Sequence, residues 1–405
     1  MTQTLHSAPS TDLHTLLSAR GTDRQLAGGF GPPATGLAPE TIRLLGGVPA
    51  DEALPTAELS EAFGSVLSDP ATSAATLHYS VLPGIESLRS WIGSREGVEP
   101  GRVLVTNGAL HALNLIFDAI LEPGDVVAVE SPTFPLALRE ASYYGATFLP
   151  VKTSADGLDL DAFEEQLRAG ARPKLFYVIP DFQNPTGSTL SADSRVRLVA
   201  LAEKYGFLIV SDNPYKELRF SGTSVDDFDL ASDNVIRANT FSKTLGPGLR
   251  LGWIAAPQWL IPALSRIRST QDQHSSLVTQ TAVARLLHSE GTFERIITGG
   301  RELYRQRSTT LVDALEAALP GQLDIVRPEG GIFLWLGAVD SSVDLADVQT
   351  RARALGVDFS LGRYFDPTGP VGYLGNGRLG FSNQSTENLI EGASRFAEAF
   401  TRSRK

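Results

Sequence analysis

The 405-residue chain has no cysteine. That excludes disulfides, cysteine-ligated zinc, iron–sulfur clusters and a thiol nucleophile. Histidine is also scarce. The six are His6, His14, His78, His111, His274 and His288, no two at metal-ligand spacing, so no metal site is expected. Positive charge is short too: 35 Lys+Arg stand against 46 Asp+Glu, a formal net charge of −11. Such a balance argues against nucleic acid or an anionic membrane as the main partner. The most apolar long segment, Leu251 to Leu264, is broken by Gln258 and two prolines and cannot span a bilayer. Met1 to Arg24 is polar and mixed, with no basic stretch leading into an apolar core. No targeting signal is expected, and the chain reads as cytoplasmic.

What is present suits a large buried core: 42% of residues are apolar and 20% charged. The length fits two packed domains. Residues 1–40, rich in Ser, Thr, Gly and Pro around Gly28-Gly29-Phe30-Gly31-Pro32-Pro33, read as an irregular arm. From about residue 85, short apolar runs alternate with helical patterns. Strands are expected over Arg102–Thr106, Val126–Val129, Lys174–Ile179 and Phe207–Val210, and helices over Ala109–Leu121 and Asp193–Tyr205. Strands without polar alternation, separated by helices, predict a mostly parallel sheet covered on both faces, a three-layer α/β domain. After a long helical stretch near 290–318, Gly330–Leu336 and Arg378–Ser382 read as strands of a smaller α+β unit. The expected division is an arm (1–40), a large α/β domain (41–285) whose first residues could join the smaller unit, and a small C-terminal domain (286–405).

Three segments put polar groups just past a buried strand, the edge where open α/β sheets bind ligands. The first is Thr240-Phe-Ser-Lys243-Thr244, followed by Gly246-Pro-Gly248-Leu-Arg250. Of only six lysines, Lys243 alone lies between hydroxyl residues and ahead of a Gly-rich turn. A desolvated lysine there can condense with an aldehyde, while Thr240, Ser242 and Arg250 could hold a phosphate; an ordinary surface turn fits equally well. The second is Asp212 in Val210-Ser-Asp212-Asn-Pro-Tyr215. A carboxylate behind four apolar residues needs a buried partner, such as a pyridinium nitrogen, with Tyr215 able to reach the same ring. An Asx-turn at a strand end is the alternative. The third is Asn184 in Pro180-Asp-Phe-Gln-Asn184-Pro-Thr-Gly187, by itself a turn signal.

In this order and spacing the three segments resemble the pyridoxal-phosphate (PLP) enzymes of fold type I, the class I/II aminotransferase superfamily. The resemblance covers roughly residues 40–400. It is similar in particular to the branch holding 2-aminoadipate aminotransferases and the aminotransferase-like domains of certain bacterial regulators. Leu45-Gly-Gly-Val-Pro49, His78-Tyr79, Gly84, Leu88-Arg89, Pro132-Thr-Phe134-Pro135, Lys243 through Trp253 and Pro328 through Trp335 carry it. The resemblance implies that Lys243 bonds to the cofactor and later moves the proton, with Asp212 on the pyridine nitrogen and Asn184 and Tyr215 on the ring oxygen. It further implies Phe134 stacked on the ring, Thr240, Ser242 and Arg250 on the phosphate, and Arg378 clamping the substrate carboxylate. Tyr79 would reach the neighbouring subunit's site, making a homodimer with shared sites. Transamination of an α-amino acid is the implied default. β-Elimination including C–S cleavage, decarboxylation and oxidative deamination are alternatives, as is a PLP-binding regulatory domain. Too few non-basic residues precede the matched region for a DNA-binding module.

One departure stands out. Where the branch has Ser-Gln after the first glycine, this chain has Gly108-Ala109-Leu110, so the helix N-terminus must bind phosphate with backbone N–H groups. Gly375-Asn-Gly377-Arg-Leu-Gly380 fits a dinucleotide fingerprint, but only 25 residues follow Gly380, too few for the rest of that unit. His111 reads as a packed helix residue, and His78, beside Tyr79, as a candidate at the substrate entry. For a second substrate carboxylate the sequence offers Arg43 and Arg363.

Overall fold

The unbroken apolar runs are strands with both faces covered. In Leu175–Val178, Leu175 and Tyr177 enter one core cluster with helix Ala109–Ile120, while Phe176 and Val178 enter a second with helices Leu160–Arg168 and Ala192–Tyr205. Leu208–Asp212 does the same, sending Val210 one way and Ile209 the other. A strand sandwiched between two apolar layers loses the polar alternation of a half-solvated one. These relationships come from a computed structural model that describes residues 13–22, 30, 37–154 and 157–403. Most of the expected arm therefore lies outside the described residues.

The large sheet runs in the order Val103–Thr106, Gly252–Ala255, Val235–Thr240, Leu208–Asp212, Leu175–Val178, Val126–Ser131, Thr147–Ser154, Gly157–Leu158. From Val235–Thr240 through Thr147–Ser154 all neighbours are parallel. Gly252–Ala255 is antiparallel to both of its neighbours. With helices on both faces this is the expected three-layer α/β architecture. Three of its strands were hidden in the sequence, among them the two-residue Gly157–Leu158. Thr147–Ser154 contains Pro150, which lies near the sheet edge where proline is tolerated. Gly252–Ala255 begins on a glycine within the run that reads only as apolar.

A second sheet has the order Ile42–Leu44, Val357–Leu361, Asn376–Gly380, Phe333–Ala338, Leu323–Val326. Helices Thr292–Ala318, Leu345–Ala354 and Thr386–Ser403 pack with it. The 27-residue helix Thr292–Ala318 is about 40 Å long at 1.5 Å per residue. Asn376–Gly380 lies between two antiparallel partners, so its glycine pattern belongs to a strand and not to a nucleotide-binding turn. Ile42, Leu44, Phe333, Phe359, Leu379 and Phe396 share a cluster with Leu104, Val127, Val210 and Ile254 of the large sheet. The two sheets are therefore joined by one continuous core. Among the described residues, no helix is long and apolar enough to cross a membrane.

The outer helical layer rests on aromatic contacts. Phe163 meets Phe176 and Phe207 edge-on, with ring centroids 5.2 and 5.8 Å apart. Phe163→Ala should lower stability by about 3–5 kcal/mol, read as a lower urea midpoint at unchanged slope. A midpoint equal to the parent's would show that this layer does not depend on the cluster.

Candidate active site

Side chains from the ends of several strands converge on a cavity of about 570 Å³. Asn184 follows Leu175–Val178, Asp212 ends Leu208–Asp212, and Thr240 ends Val235–Thr240, with Ser242 and Lys243 in the turn beyond. Tyr215, Phe134, Ala109, Leu110, Arg250 and Arg378 complete the part of the lining that the sequence nominates.

Asp212 is 3% exposed. One carboxylate oxygen accepts the Tyr177 hydroxyl at 2.8 Å, and the other is buried with no partner. Burial raises its pKa to about 6, against the Tyr177 hydrogen bond and the Lys243 charge, which favour the anion. Lys243 donates to the Gly47 carbonyl at 2.6 Å. Its pKa falls to about 8, first through burial and then through the charges of Arg378 and Arg250, with Asp212 acting the other way. The lysine thus has an accessible neutral amine near physiological pH, as a nucleophile requires.

Arg378 is buried and packs its guanidinium against Phe333 at 4.0 Å and against Phe30 and Phe365 at 5.0 Å each. It donates to Asn184 Oδ1 at 2.7 Å and to the Leu45 carbonyl at 2.8 Å, while its Nε has no partner. Burial lowers its pKa to about 10, so it remains cationic. The Leu45 carbonyl reaches it because two glycines meet. A Cβ on Gly46 would lie 2.5 Å from the Gly380 Cα, and one on Gly380 would lie 2.1 Å from the Gly46 Cα. Tyr215 is buried, its pKa pushed upward mainly by desolvation, with opposing effects from the Arg378 charge and a hydrogen bond to Asn184.

A second cluster flanks the first. Thr240 and Ser242 hydroxyls lie 2.8 Å apart. Arg250 takes a left-handed backbone (φ 50°, ψ 45°), which a side chain of this size adopts only when its surroundings enforce it. Its guanidinium donates to the Asn107 carbonyl at 2.9 Å. Gly108 has φ 86° and caps helix Ala109–Ile120 with no side-chain hydrogen bond. A Cβ there would stand 3.0 Å from Arg250 Nη2. The helix start is thereby kept open, with orphan N–H groups and no side chain over them.

Tyr79, expected at the neighbouring subunit's site, lies outside its own chain's cavity: it is 87% exposed and packs edge-on against His274 with ring centroids 5.8 Å apart. Neither Arg43 nor Arg363 lines it either; Arg43 is exposed, and Arg363 is tied to Asp344 at 2.6 and 2.7 Å. Besides Arg250 and Arg378, the arginine in the lining is Arg353, which donates to Asp358 at 2.9 Å. His78 is exposed and outside the lining. Tyr177 was missed although a signal existed, since a tyrosine in a fully buried strand needs a partner for its hydroxyl. Ser360 and Asp358, on a strand of the second sheet, carried no comparable signal.

Comparison with known proteins agrees with this geometry. Residues 71–396 match the model of the family described as aminotransferase class I and II. The chain is 34% identical over 371 residues to an aromatic-amino-acid aminotransferase of Thermococcus litoralis, covering 89% of this chain and 88% of that one. It is 32% identical over 370 residues to a 2-aminoadipate transaminase of Thermus thermophilus, covering 89% and 90%. Its fold superposes on the crystal structure of a Thermus thermophilus α-aminoadipate aminotransferase complexed with N-(5'-phosphopyridoxyl)-L-leucine. That match has a TM-score of 0.86 and 30% identity, covering 96% of this chain and 99% of that one. A site made of a half-buried lysine, a buried aspartate and two arginines, on a fold shared nearly end to end with these proteins, makes the chain an enzyme of the aminotransferase class I and II family.

Proposed function

We propose that this enzyme binds PLP in the cavity and moves the amino group of an α-amino acid to a 2-oxo acid. The observation that carries the reading is the unpartnered, buried oxygen of Asp212 in a cavity that also holds the amine of Lys243. A buried acceptor without a donor is costly, and a protonated ring nitrogen answers that need. The open Gly108 cradle beside Arg250, Thr240 and Ser242 fits a phosphate in the same way. Phe134 supplies an apolar wall, and Asn184 and Tyr215 offer hydrogen-bonding groups for a ring oxygen.

Bound there, PLP supplies an aldehyde that condenses with amines and a ring that accepts the electron pair left on the substrate's α-carbon. The protein does the rest. Asp212, ionised above about pH 6, keeps the ring nitrogen protonated. Lys243 Nζ takes the α-proton and would deliver it to a different carbon, the shift that moving the amino group requires, a task suited to a base whose pKa of about 8 lies near the working pH. Arg378 orients the substrate through its carboxylate, using a rigid fork held by three aromatic rings. The apolar walls exclude water, which strengthens each of these electrostatic contacts. We further propose a homodimer in which Tyr79, exposed with Leu77 and Val81, approaches the partner's cavity.

Lys243→Ala should fold but form no borohydride-reducible bond to PLP. In the parent, the rate of that attachment should rise with pH and level off above about 8, because only the unprotonated amine attacks. A reducible bond surviving in the variant would place attachment on another lysine.

Asp212→Asn should retain PLP while turnover falls roughly a hundredfold or more, since the charge that keeps the ring protonated is gone. Near-parental turnover would reduce Asp212 to a turn residue.

Arg378→Lys should weaken amino-acid binding by about 1.5–3 kcal/mol, roughly ten- to a hundredfold, at nearly unchanged cofactor affinity. The same change at Arg250 should loosen PLP first. The opposite pattern, cofactor lost from the Arg378 variant with substrate binding intact, would reverse the division of labour between the two arginines.

A further inference from the structure

Ala109 and Leu110 bring no polar side chain to the phosphate cradle, so its shape must come from the backbone. The cradle turns on one peptide, Asn107–Gly108. Its Asn107 carbonyl anchors the Arg250 guanidinium at 2.9 Å, and Gly108 begins helix Ala109–Ile120. The opposite end of Asn107 is held by His111, whose Nδ1 accepts the Asn107 N–H at 3.1 Å.

His111 stands at the third helical position and reaches back past the cap. In the usual capping box a Glu or Gln at that position takes the N–H of the cap residue itself. Here the bond is made one residue earlier. The glycine cap brings no side-chain acceptor to the first-turn N–H groups, so they stay available to an anion.

The ring is itself locked. The Asn107 side-chain amide donates to Asp272 Oδ2, which lies 3.8 Å from His111 Nδ1. Asp272 is fixed by Arg268 Nε at 3.0 Å. Arg268 is fully buried and also donates to the Val105 carbonyl and, at 2.9 Å, to Ser275. Gln271, which donates to Asp118 at 3.1 Å, acts with Asp272 in favour of the charged ring. Burial, with the charges of Arg268 and Arg250, favours the neutral ring against the pull of Asp272. Only a neutral ring leaves Nδ1 free to accept.

We propose that His111, braced by Asp272 and Arg268, is a positioning residue for the cofactor phosphate. By accepting the Asn107 N–H it fixes the residue whose carbonyl aims Arg250 and whose next peptide opens the helix start. The inference rests on the PLP reading above. It predicts an effect on the phosphate alone and none on the ring, which separates positioning from general structural support.

The test measures affinities of the full-length chain, freed of cofactor, for PLP and for pyridoxal, which lacks the phosphate. The parent should prefer PLP strongly. In His111→Leu that preference should shrink by about tenfold or more, the size expected when a buried donor loses its acceptor, while pyridoxal affinity holds. His111→Asn, whose side-chain oxygen can accept the same N–H, should restore most of the preference. Equal losses for both ligands, or no loss for either, would overturn the proposal. If His111→Leu does not fold, Asp272→Asn is measured in the same way, and the same two outcomes count against it. A parent without preference for PLP over pyridoxal would sink the cofactor reading, and this inference with it.

Discussion

Everything in the site depends on charge held out of water. Asp212 and Arg378 are buried and Lys243 is half-buried, and in each case desolvation is the largest influence on the pKa. The cavity carries three arginines and a lysine against two aspartates, Asp212 and Asp358, the latter already engaged by Arg353. Arg378 is buried and Lys243 half-buried, and positive charge withdrawn from water in this way costs free energy unless anions answer it. A phosphate and a substrate carboxylate are anions of that kind. The same excess lowers the Lys243 pKa, so the feature that attracts anionic ligands also frees the amine that reacts.

The fold serves this constraint by building walls. Parallel strands with apolar layers on both faces deliver Asp212 and Thr240 from their C-terminal ends into an environment that the strands keep dry. The second sheet closes the cavity with Arg378, and the close approach of Gly46 to Gly380 lets the Leu45 carbonyl steady the guanidinium. Because the two sheets share one core cluster, the distance between Arg378 and Lys243 is set by packing rather than by a linker. That suits a reaction in which carboxylate and α-carbon must be positioned together.

The chemistry at strand ends was legible in the sequence because its signals are local. A carboxylate after four apolar residues, a lysine between hydroxyls and an Asn-Pro-Thr-Gly turn each stand within a few positions of the strand that explains them. What escaped was non-local. The Leu45 carbonyl meets Arg378 across 333 positions, and Arg250 meets the Asn107 carbonyl across 143. No periodicity reports such a contact. Arg353 was passed over for Arg43 and Arg363 because an arginine's reach depends on which helix end it occupies, and that is decided by tertiary packing. Thr147–Ser154 escaped for the opposite reason: its strand pattern is local, but Pro150 speaks against it until the sheet edge is known.

The Ala109-Leu110 departure is intelligible in the same physical terms. A phosphate can be held by side-chain hydroxyls and amides or by backbone N–H groups and a guanidinium, and both routes supply charge-assisted bonds. The second route demands more of the backbone, because an N–H has no rotamer with which to adjust. The structure meets that demand in two places: Arg250 is held in a left-handed conformation, and Asn107 is tied at both its backbone N–H and its carbonyl. Losing two polar side chains therefore shifts the burden of precision onto the turn. A cradle of this kind tolerates apolar residues at 109 and 110, but a Cβ at 108 would strain a backbone held at φ 86° and press on the Arg250 guanidinium at 3.0 Å.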